Sequence, residues 1–244
     1  MATPFVKKHV EERELTVLLA VDLSGSKQFG TRGRFKAELA AEIAAVLALS
    51  AVRNNDRVGL LIFTDRVEHF VPPRKGRRHV LRLIRDVLAF EPTGAGTDLQ
   101  GALDFAGRVL RNKSIVFLLS DFQVPWGAGS AAAPGAANGV EHTLKLVARR
   151  HDLVAVAISD AAEEALPNAG LLALVDPETG EEVIVDTGRR VLRASYGAMV
   201  AASRSTLRGR FRRLGIDTVE VRTGESYINP LLGFFRQRER RLKR

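Results

Sequence analysis

Residues 15–26 read LTVLLAVDLSGS, and this stretch decides the fold. Leu15 to Val21 is a short apolar run with β-branched residues, the pattern of a strand buried on both faces. It ends in Asp22-Leu23-Ser24-Gly25-Ser26, a D-x-S-x-S motif with an oxygen-bearing side chain at every second position. A strand covered on both faces needs helices above and below it, so its neighbours should alternate strand with helix. They do. Phe35 to Val52 repeats apolar residues at helical spacing among strong helix formers. Asn54-Asn55-Asp56 is turn chemistry, and Val58 to Phe63 (VGLLIF) is a second buried-type strand. Val67 to Val71 predicts a short edge strand that Pro72-Pro73 stops. His79 to Phe90 and Leu99 to Leu110 read as helices, and Ser114 to Leu119 (SIVFLL) as the next strand. Glu141 to Arg150 and Leu153 to Ile158 give a further helix and strand, and Val191 to Leu214 and Thr218 to Val221 the last pair. Leu171 to Val175 and Glu182 to Val185 flank the turn signal of residues 176–180 and predict a hairpin. The predicted fold class is α/β: a doubly wound, mainly parallel sheet with helices on both faces, plus a small antiparallel hairpin.

The 244 residues are assigned to one domain over 1–229, followed by a basic C-terminal tail over 230–244. Gly127 to Gly139 (GAGSAAAPGAANG) is a low-complexity stretch read as a mobile loop, because strand–helix alternation resumes after it. The absence of cysteine excludes a disulfide framework, an iron–sulfur cluster, a Cys-ligated zinc and a cysteine nucleophile. The five histidines do not form the H-E-x-x-H pair of a zinc protease. No run reaches the ~18 apolar residues of a membrane span, and no secretion pattern opens the chain, which predicts a cytoplasmic location. Of the +9 net charge, residues 236–244 carry +5, so the domain itself is only mildly basic. With aromatics at 6%, a nucleic-acid-binding surface is not expected.

Three signals converge on one end of the sheet. The D-x-S-x-S motif follows the first buried strand, Thr97-Asp98 opens a helix after Gly94-Ala95-Gly96, and Asp121 follows the strand ending Leu118-Leu119-Ser120. In doubly wound sheets ligands bind beyond the carboxyl ends of the strands, where the winding reverses. Asp22, Ser24, Ser26, Thr97 and Asp121 offer two carboxylates and three hydroxyls. This is a hard oxygen set suited to Mg²⁺ or Mn²⁺. Two carboxylates within ~4 Å repel by several kcal/mol at an effective dielectric near 20. They therefore require a cation, a shared proton or a basic residue between them. Each signal also has a purely structural meaning. The serines could cap the following helix, and Thr97-Asp98-Leu99-Gln100 fits a T-x-x-Q capping box, with Asp98 as a first-turn charge.

These residues resemble the von Willebrand factor A-like domain, and within it the bacterial family called domain of unknown function 58. The similarity is carried by residues 5–31 (FVKKHVEERELTVLLAVDLSGSKQFGT), 55–76 (NDRVGLLIFTDRVEHFVPPRKG), 96–103 (GTDLQGAL), 117–122 (FLLSDF) and 230–238 (PLLGFFRQR). In that family the matching positions form a metal-ion-dependent adhesion site, which the resemblance places at Asp22, Ser24, Ser26, Thr97 and Asp121. It also implies one bound divalent cation, with a coordination position left for an acidic residue of a partner. It further implies work alongside a MoxR-type AAA+ ATPase in assembling or maturing client proteins. Family members usually carry further amino-terminal segments, often with membrane helices, before the equivalent of Phe5.

The expected function is a metal-dependent protein–protein interaction module rather than an enzyme. A haloacid-dehalogenase-like phosphotransferase needs D-x-D-x-[ST], and Ser24 stands where the second acid must titrate. The P-loop and the G-x-S-x-G elbow are absent as well. The alternative binding module has a silent metal site and uses basic surfaces: the cluster containing Arg74, Lys75, Arg77, Arg78, Arg82 and Arg85, or the tail. Phe122 and Trp126, beside the 127–139 loop, are candidate partner contacts next to the metal, and Arg74 and Lys75 are candidates in the basic cluster. The tail, with Leu231, Leu232, Phe234 and Phe235 beside its arginines, is expected to dock on the domain.

Overall fold

The structure is a computed structural model and describes residues 14–24, 36–94, 96–124, 126, 136–175 and 182–242. A six-stranded sheet is built from β1 (Thr16–Asp22), β2 (Arg57–Phe63), β3 (Val67–Arg74), β4 (Ile115–Ser120), β5 (Asp152–Ser159) and β8 (Asp217–Arg222). They lie in the order β3-β2-β1-β4-β5-β8, and β6 (Leu171–Val175) with β7 (Glu182–Asp186) forms a separate antiparallel hairpin. All pairings in the large sheet are parallel except β2 with β3 at the edge. The fold is the predicted α/β class.

The alternation of β1 explains why it is central. Val17, Leu19 and Val21 enter one core, and Leu18 and Ala20 enter the other. The first core is closed by α1 (Lys36–Arg53), α2 (Arg77–Leu88) and α7 (Ile228–Leu242). The second is closed by α3 (Leu99–Val109), α4 (Ala136–Arg150) and α6 (Arg190–Leu214). The chain winds outward from β1 to β3, then returns to start again at β4. The reversal therefore falls between β1 and β4, the crevice in which doubly wound sheets bind ligands.

Two expectations change, one short helix is added, and the expected docking of the carboxyl-terminal stretch takes helical form. The edge strand does not stop at Val71: β3 continues through Pro72 and Pro73 to Arg74, its register irregular between Val58 and Leu60. An edge strand tolerates prolines because one side of it needs no ladder donors. Gly59 makes room for them, since a Cβ there would stand 2.8 Å from Pro73 Cγ. The helix expected from Glu141 starts at Ala136, inside the low-complexity stretch, while residues 127–135 of that stretch lie outside the described residues. A four-residue helix, α5 (Ala161–Glu164), follows β5 under a capping box made by Asp160 and Glu163. The segment expected as a basic tail lies in α7, whose Leu231 and Phe234 are buried in the first core. Its arginines turn outward: Arg238 pairs with Asp152, and Arg241 reaches Asp217 at 2.8 Å. Among the described residues, no helix is long and apolar enough to cross a membrane.

Candidate metal centre

Parallel pairing of β1 with β4 sets Val21 opposite Leu119, so the next residues, Asp22 and Ser120, meet at the reversal. Ser120 Oγ donates to Asp22 Oδ2 at 2.6 Å, while the Ser24 amide and hydroxyl donate to Asp22 Oδ1 at 3.0 and 2.5 Å. The Thr97 hydroxyl in turn bonds the Ser24 hydroxyl. Asp121, directly after β4, lines the same small cleft as Asp22, Ser24 and Ser120. Thus Asp22, Ser24, Thr97 and Asp121 come together from three distant parts of the chain. Ser26 lies outside the described residues.

Asp22 is 7% exposed, and burial pushes its carboxyl up to about 6, with the Asp121 charge adding to this and the Ser120 and Ser24 hydrogen bonds opposing it. Asp121 is held differently. Its Oδ2 accepts from Lys36 Nζ at 2.7 Å, and its Oδ1 accepts from the Gln123 amide at 3.1 Å. Burial pulls the Lys36 ammonium down, but Asp121 and Glu163 outweigh it and hold the group above its ordinary value. The site therefore contains a basic residue on one carboxylate and a raised affinity for protons on the other. Both are among the outcomes required of two close acids.

The donors fit a hard divalent cation. Two hydroxyl oxygens already touch at Ser24 and Thr97, beside a buried carboxylate that favours a positive charge. Among the described residues no group of three or more His, Asp or Glu is arranged to hold a metal. A divalent ion held here would draw on the hydroxyls as well as the two carboxylates.

Local structure explains why Thr97 is available. Asp98, not Thr97, is the N-cap of α3, its Oδ1 accepting from the Gly101 amide at 2.8 Å. The T-x-x-Q box is therefore not used, and the Thr97 side chain faces Ser24. The loop before it is pinned by Glu68, whose carboxylate accepts from the Thr64 hydroxyl at 2.6 Å and from the Thr93 and Gly94 amides at 2.9 and 2.7 Å. Asp98 N–H donates to Thr64 O at 2.6 Å, fastening the same loop to the end of β2. Gly94 fits only because it lacks a Cβ, which would fall 2.2 Å from Thr64 Oγ1. Burial raises the Glu68 carboxyl, but these hydrogen bonds prevail and lower it to about 2. Its contribution is thus complete above pH 4.5 and lost as pH falls through about 2. Glu68→Ala is expected to cost about 1–3 kcal/mol in urea unfolding at pH 7, a loss that shrinks as pH falls from 4.5 toward 2.

The partner-contact candidates separate. Phe122 is 3% exposed and packs edge-on against Phe211, with ring centroids 5.0 Å apart, so it belongs to the core and offers no partner surface. Its φ of 55° is strained for a non-glycine residue, in the turn that follows Asp121. Trp126 is half-buried, donating from Nε1 to Phe122 O at 3.1 Å, with the Arg210 guanidinium 5.2 Å above its ring. It lines a groove of about 530 Å³ between α6 and the sheet, which also reaches Asp121 and Glu163. Arg74 pairs in register with Val58, and Lys75 pairs with Glu14. Both lie at the amino-terminal end of β1 and β2, opposite the cleft, so neither borders it. Sequence reasoning missed Ser120, Lys36 and Glu163 as members of the site. Ser120 was legible as the neighbour of Asp121 on a buried strand, but nothing in the sequence pairs Lys36 with acids 85 and 127 residues away.

Several solved structures share the architecture. Conserved hypothetical protein BatB from Bacteroides thetaiotaomicron has a TM-score of 0.55 at 12% identity, with 92% of this chain and 98% of that chain covered. An aerotolerance-related membrane protein from Bacteroides fragilis NCTC 9343 has a TM-score of 0.58 at 14% identity, with 89% and 96% covered. At these identities the likeness is one of fold. Uncharacterized protein Rv1480 from Mycobacterium tuberculosis (strain ATCC 25618 / H37Rv) is 29% identical over 243 residues, covering 97% of this chain and 71% of the relative. Matching its family model over residues 1–206, the chain belongs to the family described as protein of unknown function DUF58.

Proposed function

We propose that this chain is a divalent-metal-dependent protein–protein interaction module. Asp22, Ser24 and Thr97, with Ser26 and Asp121, hold one Mg²⁺ or Mn²⁺ as a metal-ion-dependent adhesion site. An acidic side chain of a partner takes a remaining coordination position. The partner is a MoxR-type AAA+ ATPase or a client matured with it. One observation carries the reading: two carboxylates and two hydroxyls from three distant segments meet at the β1–β4 reversal. A hard ion held by such ligands keeps positions for outside oxygens, so it can join two proteins without chemistry on either. The groove under α6, opening beside Asp121, gives the partner's chain a path to the ion.

A purified MoxR-type AAA+ ATPase from the same organism, or its client, is expected to be retained on immobilised chain in Mg²⁺. Retention should fall at least tenfold with EDTA or with Asp22→Asn. Retention that ignores both, but weakens with salt, would assign binding to the basic surfaces instead.

A further inference from the structure

Lys36 is the first residue of α1 and is 6% exposed, an unusual position for an ammonium group. Its Nζ stands 2.5 Å from Glu163 Oε1 as well as 2.7 Å from Asp121 Oδ2. Glu163 is itself fixed: its Oε2 accepts from the Asp160 amide at 3.3 Å, and its backbone carbonyl accepts from the Tyr196 hydroxyl at 2.9 Å. The ammonium is therefore a positioned charge, anchored on α5 and aimed at the carboxylate that faces the cleft. Lys36 also lines that cleft together with Asp22, Ser24 and Ser120.

We propose that Lys36 is a positioning residue that sets the ionic charge the site accepts, by sharing Asp121 with the bound cation. This rests on the metal-site reading above. Among the described residues the cluster of Asp22, Asp121, Glu163 and Lys36 carries three ionised carboxylates and one ammonium when all are charged, a surplus of two negative charges. A divalent ion neutralises that surplus. A trivalent ion leaves an extra positive charge in a buried place, and a monovalent ion leaves a negative one. Changing one unit charge about 5 Å from the ion, at an effective dielectric near 20, alters affinity roughly a hundredfold per unit of ion charge. Water in the cleft reduces this, so a change of about tenfold is the expected floor in the preference between ions differing by one charge.

The experiment titrates Mg²⁺ and Tb³⁺ separately into the full chain, following Tb³⁺ by luminescence sensitised through Trp126 and Mg²⁺ by calorimetry. The quantity read is the ratio of Tb³⁺ to Mg²⁺ affinity. Lys36→Gln is expected to raise that ratio about tenfold or more, and Glu163→Gln to lower it by about as much. The double variant Lys36→Gln with Glu163→Gln restores the charge and should return near the natural ratio, as should Lys36→Arg. Should Lys36→Gln fail to fold, Glu163→Gln and the double variant still decide the matter, because neither leaves both Asp121 and Glu163 as carboxylates without the ammonium. An unmoved ratio in Glu163→Gln and the folded variants, with both ions still lost in Asp22→Asn, would overturn the role of Lys36 and leave the metal site standing. Failure of the natural chain to bind either ion through Asp22 would overturn both.

Discussion

With a chelator present at pH 7, Asp22→Asn is expected to be more stable than the natural protein by about 3 kcal/mol, and to have lost the response to Mg²⁺. The folded protein holds the Asp22 proton with a pKa of about 6, against an ordinary 3.8. Folding thus favours the protonated carboxyl. Its contribution is complete below pH 3.8 and is lost as pH rises through about 6, leaving a buried charge at neutrality. Asparagine removes that charge, can still accept from Ser24, and makes the stability profile flatter between pH 4 and 7. Mg²⁺ at 100 times its dissociation constant adds about 2.7 kcal/mol to the natural protein and should add nothing to the variant. Urea unfolding at pH 4 and 7, with EDTA and with Mg²⁺, checks all four values. A variant less stable than the natural chain in EDTA at pH 7, or one that keeps its Mg²⁺ response, contradicts the assignment. The expected gain in stability with loss of the Mg²⁺ response would mark a site in which stability is given up for binding, a common arrangement at functional positions.

Phe211→Ala is expected to cost 3–5 kcal/mol, about the range for emptying a fully buried aromatic position. Phe211 is wholly buried, while most of the other side chains of the 25-residue α6 are exposed or half-buried. Its ring meets Phe122 edge-on at 5.0 Å and Trp126 at 6.2 Å, and such pairs add to the area term. It therefore fastens the carboxyl half of α6 to the turn that follows Asp121. Gly215, left-handed at φ 70°, ends the helix just beyond. Chemical unfolding of the variant measures the loss. A cost below about 1 kcal/mol would mean that α6 is held elsewhere, and that the groove beneath it does not depend on this anchor.

The fold was legible where burial left little choice. The apolar runs of β1, β2, β4 and β5 are covered on both faces, and only parallel strands between helix layers satisfy that pattern. Their ends place Asp22 and Asp121 at one rim from the sequence alone. The details that failed were decided by contacts distant in sequence. Asp98 reads as a first-turn charge, yet it is the N-cap of α3, because Thr97, whose spacing also fits a capping box, is turned toward Ser24, 73 residues away. Lys36, inside the stretch read as a helix from Phe35, carries no signal of its own in the sequence, and two acids from later crossovers meet it in the fold. The 230–244 stretch docks as expected through Leu231 and Phe234, but its helical form, α7, is hidden in the sequence by seven charged residues. Phe122 follows Asp121 and so suggested a rim position, but its left-handed turn sends the ring into the core.

Anomalous scattering from a crystal grown with Mn²⁺ tests the metal assignment most directly. The expected result is a single strong peak at the β1–β4 rim, within coordination distance of the Asp22 carboxylate and of the Ser24 and Thr97 hydroxyls. A peak bound only by other residues, or none at saturating Mn²⁺, would contradict it.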